Sequence, residues 1–303
     1  LYAPSLRCVD LAAPGYYFLA TDTPNALRWL AAQAENAGAR IVYSTVFKDA
    51  RRLQSGFALN GLGSTRFLIG ADGPHSRVAR SLSLGQSHRF LAGVEYEYAG
   101  AEIAEPNKLH CFLTRTIAPG YIGWVVAGVG VVQAGLARRQ GHRAFKPDAA
   151  MGAFLAQIRP AIDLTSLRPT SVRAGLIPCG GVVSPVAAAR ALLVGDAAGM
   201  VSPLTAGGIH TALKHGLAAG NAVADFLQGR AEDPAVRFVR SYPKFRTKRL
   251  LRHAFELFQS DVLCDMLLAT RLMRAAAGLI YFHHNGVFDG ARSVSSAMEH
   301  ATD

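Results

Sequence analysis

A fixed carboxylate beside an open stretch of backbone is the combination of residues in this sequence best suited to chemistry. Residues 191–194 are apolar throughout, the pattern of a parallel strand covered on both faces. Asp196 follows at the carboxyl end of this strand and is suited to accept hydrogen bonds from sugar-like hydroxyl groups. Gly207 and Gly208 then open a helix predicted over residues 207–227, whose free N–H groups carry partial positive charge. The pattern predicts a site that holds hydroxyl groups at one end and negative charge at the other.

The residues around this first turn distinguish a binding site from a simple cap. In a bare Gly-Asp turn, the aspartate most often does no more than cap N–H groups of its own chain. Here Gly195 and Ala197 leave room for another molecule, and Pro203 and Thr205 shape the loop that follows. The complete string favours a binding site. The charge at its helix start suits the N1–C2 edge of a reduced flavin ring.

A second strand, predicted over residues 66–71, also ends in an Asp-Gly pair. Asp72 and Gly73 precede a short helix predicted near Ser76, which carries two arginines. An Asp-Gly pair alone is a weak signal, because it is routine in hairpins and tight turns. The arginines could reach phosphate oxygens or lie in solvent. Taken alone, this turn leaves both a ligand contact and a plain turn open.

Two strings of residues and one aromatic segment carry a resemblance to a known family. The strings are GADGPHSRVAR at residues 70–80 and LLVGDAAGMVSPLTAGGIHTAL at residues 192–213, and the segment is PGYIGW at residues 119–124. They resemble the FAD-dependent oxidoreductases of the para-hydroxybenzoate hydroxylase fold, and within that group the geranylgeranyl reductase family. The reductases continue the aromatic motif with Phe-Pro, whereas Trp124 is followed here by Val125, a departure that leaves the substrate's chemistry open.

The resemblance implies FAD as the cofactor and gives roles to several residues. Asp196 would bind the ribityl hydroxyls of the flavin, and Gly208 and Ile209 would contact the flavin through their backbone. Tyr121 and Trp124 would line the substrate cavity beside the ring. For these two aromatic residues, ordinary core packing is an equally good interpretation.

The resemblance also extends to the rest of the cofactor. Asp72 and Gly73 would belong to a motif associated with FAD, and a nicotinamide donor is a second ligand considered for it. Val46, after a strand predicted over residues 40–44, would lie beside the adenine. The Gly-x-Gly-x-x-Gly fingerprint of dinucleotide-binding folds does not occur in the sequence. Because the family's opening βαβ unit carries that fingerprint, the resemblance predicts this unit before Leu1.

The order of the predicted elements indicates an α/β protein, α+β overall. An α/β fragment, a mostly antiparallel sheet, a second α/β fragment and a run of helices follow one another along the chain. This predicts a discontinuous FAD-binding domain of the para-hydroxybenzoate hydroxylase type, with an inserted antiparallel-sheet substrate domain and a helical C-terminus. The predicted boundaries are 1–22 for strands of the substrate domain, 23–85 and 176–230 for the two parts of the FAD-binding domain, 86–175 for the insertion and 231–303 for the helical region.

Local patterns predict the individual elements. Thr23 caps a helix that has proline at its first position. Residues 89–98 alternate, so that Val94 and two tyrosines share one face while Glu95 and Glu97 share a solvent-facing one. The apolar stripe of the first helix comprises Leu27, Leu30, Ala31, Ala34 and Ala37.

The uncharged stretch at residues 116–137 is long enough for a membrane span. Its proline, its glycines and its clusters of valine instead predict two strands, at residues 121–127 and 131–137. Further strands are predicted near residues 57–59, 107–115 and 168–176, and a helix over residues 147–158.

A local run of basic residues dominates the charge of the chain, whose formal net charge is +11. Without the seven cations of this run, the net charge falls to +4. Five of the seven recur at helical spacing on one predicted face, although Pro243 is expected to kink or break that helix. The face is either solvated or in contact with an anionic membrane surface. Nucleic acid is not expected as a partner, because no recognised binding motif accompanies the charge. The run comprises Arg237, Arg240, Lys244, Arg246, Lys248, Arg249 and Arg252.

The cysteines and histidines exclude several kinds of site. Four cysteines lie far apart without a Cys-x-x-Cys pair, which predicts a reducing, cytoplasmic location rather than a disulfide scaffold or a zinc site. His210 and His215 are five residues apart, off the spacing that a helical metal site uses. We therefore predict no metal site, and we assign no protein acid or base.

These observations lead to three hypotheses for the function. The first is an FAD-dependent oxidoreductase that takes electrons from NAD(P)H or another donor and saturates a carbon–carbon double bond of a hydrophobic, isoprenoid-like substrate. The second is an FAD- and NAD(P)H-dependent monooxygenase. The third, of another class, is a cofactor-free module that binds a partner or associates with a membrane.

Overall fold

The computed structural model describes residues 1–141 and 145–282 of the 303-residue chain. Its strands are β1 (Ala50–Leu53), β2 (Gly56–Leu59), β3 (Gly63–Thr65), β4 (Leu68–Gly70), β5 (Phe90–Ala99), β6 (His110–Phe112), β7 (Gly123–Ala127), β8 (Val131–Arg139), β9 (Ser171–Pro178), β10 (Ala187–Ala188) and β11 (Ala191–Leu193). Its α-helices are α1 (Thr23–Asn36), α2 (Arg77–Ser81), α3 (Pro147–Ile158), α4 (Ile209–Leu227), α5 (Pro234–Arg237), α6 (Arg246–Phe258), α7 (Asp261–Leu267) and α8 (Arg271–Tyr281). Two 3₁₀ helices cover Gly195–Ala198 and Phe238–Ser241.

A five-stranded antiparallel sheet has the strand order β6-β7-β8-β5-β9. The alternation predicted for residues 89–98 lies in β5, where Val94 pairs with Leu136 of β8 and with Ala174 of β9. One face of the sheet buries Val94, Tyr98 and Leu136 together with Phe154 of α3. Removing this apolar area from water, at about 25 cal/mol per Å², is the main force that holds sheet and helix together.

The opposite face of β5 is more enclosed than the alternation predicts. The sequence predicts that Glu95 and Glu97 face solvent, but both are only partly exposed. The reason is that β5 is a central strand, and side chains of the strands on either side lie against these two residues. Trp124 Nε1 donates to Glu95 at 2.9 Å, Gln133 Nε2 donates to Glu97 at 3.0 Å, and Arg173 forms an ion pair with Glu97. The polar face of the strand is therefore a network of paired groups within the protein.

A short parallel pair of strands brings the two Asp-Gly turns to the same sheet edge. β11 pairs in parallel with β4 through Leu192 and Ile69, and β10 extends this sheet on its other side. Gly70 allows the close packing here, since a Cβ at this position would lie 3.0 Å from the Val78 Cβ. Because the carboxyl ends of parallel strands meet at one edge, Asp72 and Asp196 both follow strands at that edge.

The strand predicted over residues 40–44 is absent, and residues 37–49 contain no regular secondary structure. A strand requires a neighbour for its N–H and C=O groups, and no described strand pairs with this segment. The strand predicted near residues 57–59 is β2, the middle strand of a separate meander with β1 and β3.

Helix α1 has the predicted length but a different cap and a different environment. Asp22, rather than Thr23, caps it by accepting a hydrogen bond from the Asn25 N–H at 3.2 Å. None of its residues is buried, and Leu27 and Leu30 of the predicted apolar stripe are exposed. The helix forms where proline and the cap start it, but none of the described elements covers its apolar face.

The basic run is interrupted near Pro243, as the sequence predicts, and does not form one continuous helix. It is divided between α5, a 3₁₀ turn and α6, because Pro243 lies between the last two and cannot continue a helix. Most of its members are exposed, but Arg252 is buried, with 5% of its surface accessible. Its guanidinium forms an ion pair with Glu256, the nearest acidic residue along α6. The expectation that Arg252 contributes to a solvated or membrane-facing surface is therefore wrong.

The uncharged stretch at residues 116–137 contains β7 and most of β8, as predicted. Among residues 1–141 and 145–282, no helix combines the length and the apolar character that a membrane span needs.

The contact between β7 and α3 gives a first testable prediction. A methyl group on Gly123 would overlap the ring of Phe154, which is fully buried, with Phe154 Cδ2 at 2.9 Å and two further ring atoms closer still. Gly123→Ala is therefore expected to lower the free energy of unfolding by about 1–3 kcal/mol through overpacking. Gly152→Ala is the control, since Gly152 lies in α3 with Phe154 and a Cβ there would have no atom within 4 Å. Replacing this helical glycine should stabilise the protein slightly. Urea unfolding measures both, and equal midpoints would contradict the packing described here.

Candidate functional site

Asp196 lies in a tight turn directly after β11. The chain enters a 3₁₀ helix at Gly195, and Gly195 and Gly199 adopt positive φ angles of 56° and 68°. Gly199 cannot be larger, because a Cβ there would collide with the Gly181 carbonyl. The turn therefore places the Asp196 side chain in a fixed position at the end of the strand.

The Asp196 carboxylate is partly buried and has no hydrogen-bond donor among the described side chains and backbone groups. Burial raises its pKa, because the low-dielectric surroundings disfavour the charged form. A buried polar group without a partner normally costs free energy. Asp196 is only partly buried, so its oxygens stay open to water or to a ligand, and its carboxylate is a candidate binding group.

The N-terminus of α4 faces the same carboxylate. The helix begins at Ile209, two residues later than predicted, and Gly208 occupies the N-cap position without any side chain to satisfy the first N–H groups. A Cβ on Gly208 would lie 3.7 Å from Asp196 Oδ1. Gly207 and Ile209 are exposed. An accessible helix terminus, with its positive partial charge, thus lies beside a hydrogen-bond acceptor, as the sequence predicts.

The loop between these two groups is internally bonded. The Thr205 N–H donates to Ser202 Oγ at 3.3 Å, and the Ser202 N–H donates to the Gly207 carbonyl at 3.0 Å. Pro203 is buried beneath the loop, and Ala206 has a positive φ of 52°. These contacts hold the backbone of residues 202–207 in one shape beside Asp196.

Tyr121 joins this loop to the antiparallel sheet. Its hydroxyl donates a short hydrogen bond to the Thr205 carbonyl, and burial raises the pKa of the phenol. Tyr121 and Trp124 pack with Ala206 and with the buried Leu91 in one apolar cluster. Tyr121 and Trp124 therefore lie where the sheet meets the loop, and their role beside a substrate stays a prediction.

A row of small residues crosses the sheet face beside Trp124. Gly93 pairs with Ala137 on one side and with Gly175 on the other, so the three share one face of adjacent strands. The Trp124 ring lies over Gly135, whose Cβ would be 2.9 Å from the indole nitrogen. Gly93 and Ala137 are buried, whereas Gly175 on the outer strand is exposed.

Arg252 is a functional candidate that the sequence did not indicate as part of the site. Its Nη1 donates to the Pro203 carbonyl at 3.4 Å, and its guanidinium lies 6.0 Å from the centre of the Tyr121 ring. Its Nε donates to Glu256 at 2.7 Å. A helix outside the two predicted motifs thus supports the loop from below. The acid four residues away on α6 was the available signal, since that spacing favours an ion pair.

In the second predicted turn, unlike the first, the aspartate is hydrogen-bonded within the protein. The Asp72 side chain accepts hydrogen bonds from Ser76 Oγ at 2.6 Å and from the Arg77 and Val78 N–H groups at 2.6 and 3.1 Å. Its two oxygens therefore cap α2, and Gly73 supplies the positive φ of 80° that the turn needs. These contacts fit the plain turn, which was one of the two interpretations that the sequence left open for Asp72 and Gly73.

Val46 lies outside this group of residues. It is 60% exposed, in the segment without regular structure before β1. No described contact places it at the Asp196 site, and its predicted position beside an adenine stays a prediction.

The fold and the site define a flavoprotein architecture: an acceptor after a parallel strand, a bare helix N-terminus, and an antiparallel sheet packed against the loop between them. The chain belongs to the family described as the FAD binding domain, whose model matches residues 9–250. The predicted fold class and cofactor are confirmed by this match.

Relatives with reductase names match the chain in part. It is 29% identical to digeranylgeranylglycerophospholipid reductase 1 of Methanothermobacter thermautotrophicus over 208 residues, which is 65% of this chain and 51% of that protein. It is 28% identical to digeranylgeranylglycerophospholipid reductase 2 of Methanopyrus kandleri over 265 residues, 80% of this chain and 63% of that protein. The chain thus spans between about half and two-thirds of the length of these relatives. The predicted resemblance to the geranylgeranyl reductases is confirmed.

Solved structures agree on the fold. A geranylgeranyl bacteriochlorophyll reductase-like protein from Thermoplasma acidophilum superposes with a TM-score of 0.70 at 19% identity, covering 86% of this chain and 72% of that one. An aromatic hydroxylase from angucycline biosynthesis gives a TM-score of 0.55 at 18% identity, covering 85% and 56%. The architecture is shared by reductases and hydroxylases alike.

The N-cap of α4 gives a second prediction. Gly208→Ala would place a methyl group between the helix terminus and the Asp196 carboxylate, 3.0 Å from Val201 Cγ2. Its φ of −138° suits any residue, so the variant should fold. We expect FAD affinity to fall about tenfold, because the methyl group would keep the ligand farther from the helix N–H groups. Gly216→Ala, in the same helix with nothing within 4 Å, is the control and should bind FAD normally. Flavin fluorescence quenching measures both affinities, and an unchanged Kd for Gly208→Ala would argue against a cofactor at this terminus.

Proposed function

We propose that this protein is an FAD-dependent oxidoreductase that reduces a carbon–carbon double bond of a hydrophobic, isoprenoid-like lipid, with NAD(P)H or another donor supplying the electrons. The observation that carries the proposal is the unpaired, partly buried Asp196 carboxylate beside the bare N-terminus of α4. FAD, when bound, supplies the hydride and electron transfer that no pair of protein side chains here can provide.

The residues of the first turn fit a flavin. Asp196 would accept hydrogen bonds from the ribityl hydroxyls, which would give the buried carboxylate the partners it lacks. The N–H groups at Gly208 and Ile209 would face the electron-rich edge of the ring, where the helix terminus stabilises negative charge. Pro203 and Thr205 would shape the pocket from the loop, and Gly195 and Ala197 would leave space at the turn.

The second turn has a supporting role in this proposal. Asp72 and Gly73 would order the backbone at the same sheet edge by capping α2, and Val46 would approach the adenine end of the cofactor. These contacts are proposed on the resemblance alone, because the Asp72 oxygens already have partners in the protein.

The apolar cluster where the sheet meets the loop suits an apolar chain. A prenyl group would lie beside Tyr121 and Trp124, where the sheet meets the loop. The apolar cluster around Leu91 would exclude water from a double bond bound beside it, which would protect the transferred electrons from side reactions. The names of the relatives, which are reductases of digeranylgeranylglycerophospholipid, support a lipid of this class.

An anaerobic titration tests the proposal. FAD-loaded protein is reduced with NAD(P)H, or with dithionite if NAD(P)H fails, and is then mixed with a geranylgeranyl lipid. Return of the oxidised flavin absorbance, with a product that has gained two hydrogens by mass spectrometry, is the expected result.

The same experiment distinguishes the alternatives. Product formed only when oxygen is admitted, with an added oxygen atom, would identify a monooxygenase. Full-length protein that takes up no FAD at any concentration would exclude both enzyme hypotheses and leave the cofactor-free binding module.

A further inference from the structure

The chain enters β7 through a tight turn at residues 118–121. The Tyr121 N–H donates to the Ala118 carbonyl at 3.0 Å and closes the turn. Pro119 is its second residue, and Gly120, its third, has a positive φ of 79°. These are the features of a type II turn. The closing bond leaves the Gly120 N–H without a partner inside the turn, and Gly120 is buried, so another part of the protein has to accept this hydrogen bond.

The side-chain amide of Gln259, directly after α6, provides that partner. Gln259 Oε1 accepts a hydrogen bond from the Gly120 N–H at 2.6 Å. Its Nε2 donates to the Ala118 carbonyl at 3.5 Å and to the Tyr121 carbonyl at 3.4 Å. A side-chain amide carries both an acceptor and two donors, so one buried residue, 6% exposed, bonds three backbone groups of the turn.

Gln259 is itself held where α6 ends and α7 begins. Its backbone carbonyl accepts a hydrogen bond from Arg115 Nη1 at 3.0 Å. Asp261, at the start of α7, accepts hydrogen bonds from the Arg115 N–H at 2.6 Å and from Thr116 Oγ1 at 2.8 Å. Hydrogen bonds to an ionised acceptor are among the stronger ones. The joint between α6 and α7 therefore stays against residues 115–121, and the Gln259 amide meets the turn in one orientation.

Tyr121 connects this turn to the candidate site. It is the last residue of the turn, and its hydroxyl donates to the Thr205 carbonyl. Thr205 belongs to the loop of residues 202–207, which lies between Asp196 and the N-terminus of α4. A turn that lost its shape would move the phenol, and the loop would lose this bond to the sheet.

We propose that Gln259 is a positioning residue for the cofactor site. It holds the turn of residues 118–121, and through Tyr121 it fixes the loop of residues 202–207. Arg252 of α6 contacts the same loop at the Pro203 carbonyl, so the end of α6 and its middle both act on it. The proposal rests on the proposed function, because that function places FAD beside this loop. Gln259 itself is assigned no contact with cofactor or substrate.

Hydrogen exchange of the full chain, measured before FAD is added, tests the link to the loop. Gln259→Met keeps a side chain of similar size but removes its three hydrogen bonds. We expect the amides of residues 202–207 to exchange about fivefold faster in this variant. Gln133→Met is the matched control, since it makes the same change at a partly buried glutamine of β8 that donates to Glu97 at 3.0 Å. It should leave exchange in the loop unchanged.

Tyr121→Phe provides a second arm that does not depend on how well Gln259→Met folds. It removes only the hydroxyl and leaves the turn intact, and exchange in the loop should again rise about fivefold. In the double variant with Gln259→Met, the loop should exchange no faster than in Tyr121→Phe, because the group through which Gln259 acts is already missing. Two single effects that multiply in the double variant would overturn the proposal, since Gln259 would then act by another path.

The Kd of FAD is measured on the same variants by quenching of flavin fluorescence. We expect the Kd to rise about fivefold in Gln259→Met and to stay unchanged in Gln133→Met. Unchanged exchange of the loop in Gln259→Met, or faster exchange with an unchanged Kd, would overturn the proposal. A full-length parent protein that binds no FAD would contradict the proposed function instead, and exchange of the loop would still decide whether Gln259 positions it.

Discussion

Asp196→Ala is expected to weaken FAD binding by about ten- to hundredfold. The variant removes a carboxylate that makes no hydrogen bond within the described protein, so the loss falls on the ligand rather than on the fold. Hydrogen bonds to a charged group contribute about 1.5–3 kcal/mol, and each 1.4 kcal/mol corresponds to a factor of ten in Kd. Binding is followed by quenching of flavin fluorescence on titration of the purified protein with FAD.

The matched control is Asp72→Ala, which removes a carboxylate from the other turn of the same sheet edge. That carboxylate caps α2 through three hydrogen bonds, so its loss should lower the free energy of unfolding by about 1 kcal/mol and change FAD affinity little. Equal FAD losses in the two variants, or none in either, would show that Asp196 does not have the special role assigned here.

Asp196→Ala should raise the free energy of unfolding of the apoprotein, although it weakens FAD binding. Burial raises the pKa of Asp196 in the folded state, so the folded apoprotein binds this proton more tightly than the unfolded chain does. Its free energy of unfolding therefore falls as pH rises through the window between the unfolded and the raised folded pKa. At neutral pH the charged carboxylate costs stability, and Asp196→Ala should raise the urea midpoint of the apoprotein. A lower midpoint would indicate that the carboxylate has a structural partner instead.

The sequence predicts the local structure of the candidate site because the signals for it are local. The apolar strand, the aspartate after it and the glycines at the helix start each restrict the backbone within a few residues, and the structure has all three in place. The aromatic motif was informative for the same reason. Tyr121 and Trp124 lie in and next to β7, so their positions follow from the strand that carries them.

The features that the sequence did not predict depend on contacts between elements that are far apart along the chain. The spacing of the cations predicts a helical face, but periodicity does not say which face meets the protein, and Arg252 is buried against Tyr121 and Pro203. Helix α7 shows the converse, since its pattern would suit a buried apolar face and the structure turns that face outward. The segment at residues 40–44 has strand propensity, but β-pairing depends on a partner that no local pattern supplies.

The ion pair between Arg252 and Glu256, next to the loop of residues 202–207, gives the largest expected effect on stability. The side chains of Arg252 and Glu256 are 6% and 16% exposed, and Arg139 lies 3.5 Å from the second oxygen of Glu256. Glu256→Ala would leave the Arg252 guanidinium buried without its countercharge, which costs about 3–5 kcal/mol. The exposed pair of Arg230 and Asp225 is the control, and Asp225→Ala should cost less than about 1 kcal/mol.

A double variant separates the buried charge from simple loss of packing. Arg252→Met fills much of the same volume without a charge, so adding it to Glu256→Ala should restore stability relative to Glu256→Ala alone, even though two native side chains are then missing. Urea unfolding of both single variants and the double variant measures this coupling. Additive losses would mean that the guanidinium carries no uncompensated charge. Because Arg252 also donates to the Pro203 carbonyl, the double variant should regain stability while still binding FAD more weakly than the parent protein. That result would assign the pair two roles, one in the fold and one in holding the loop beside Asp196.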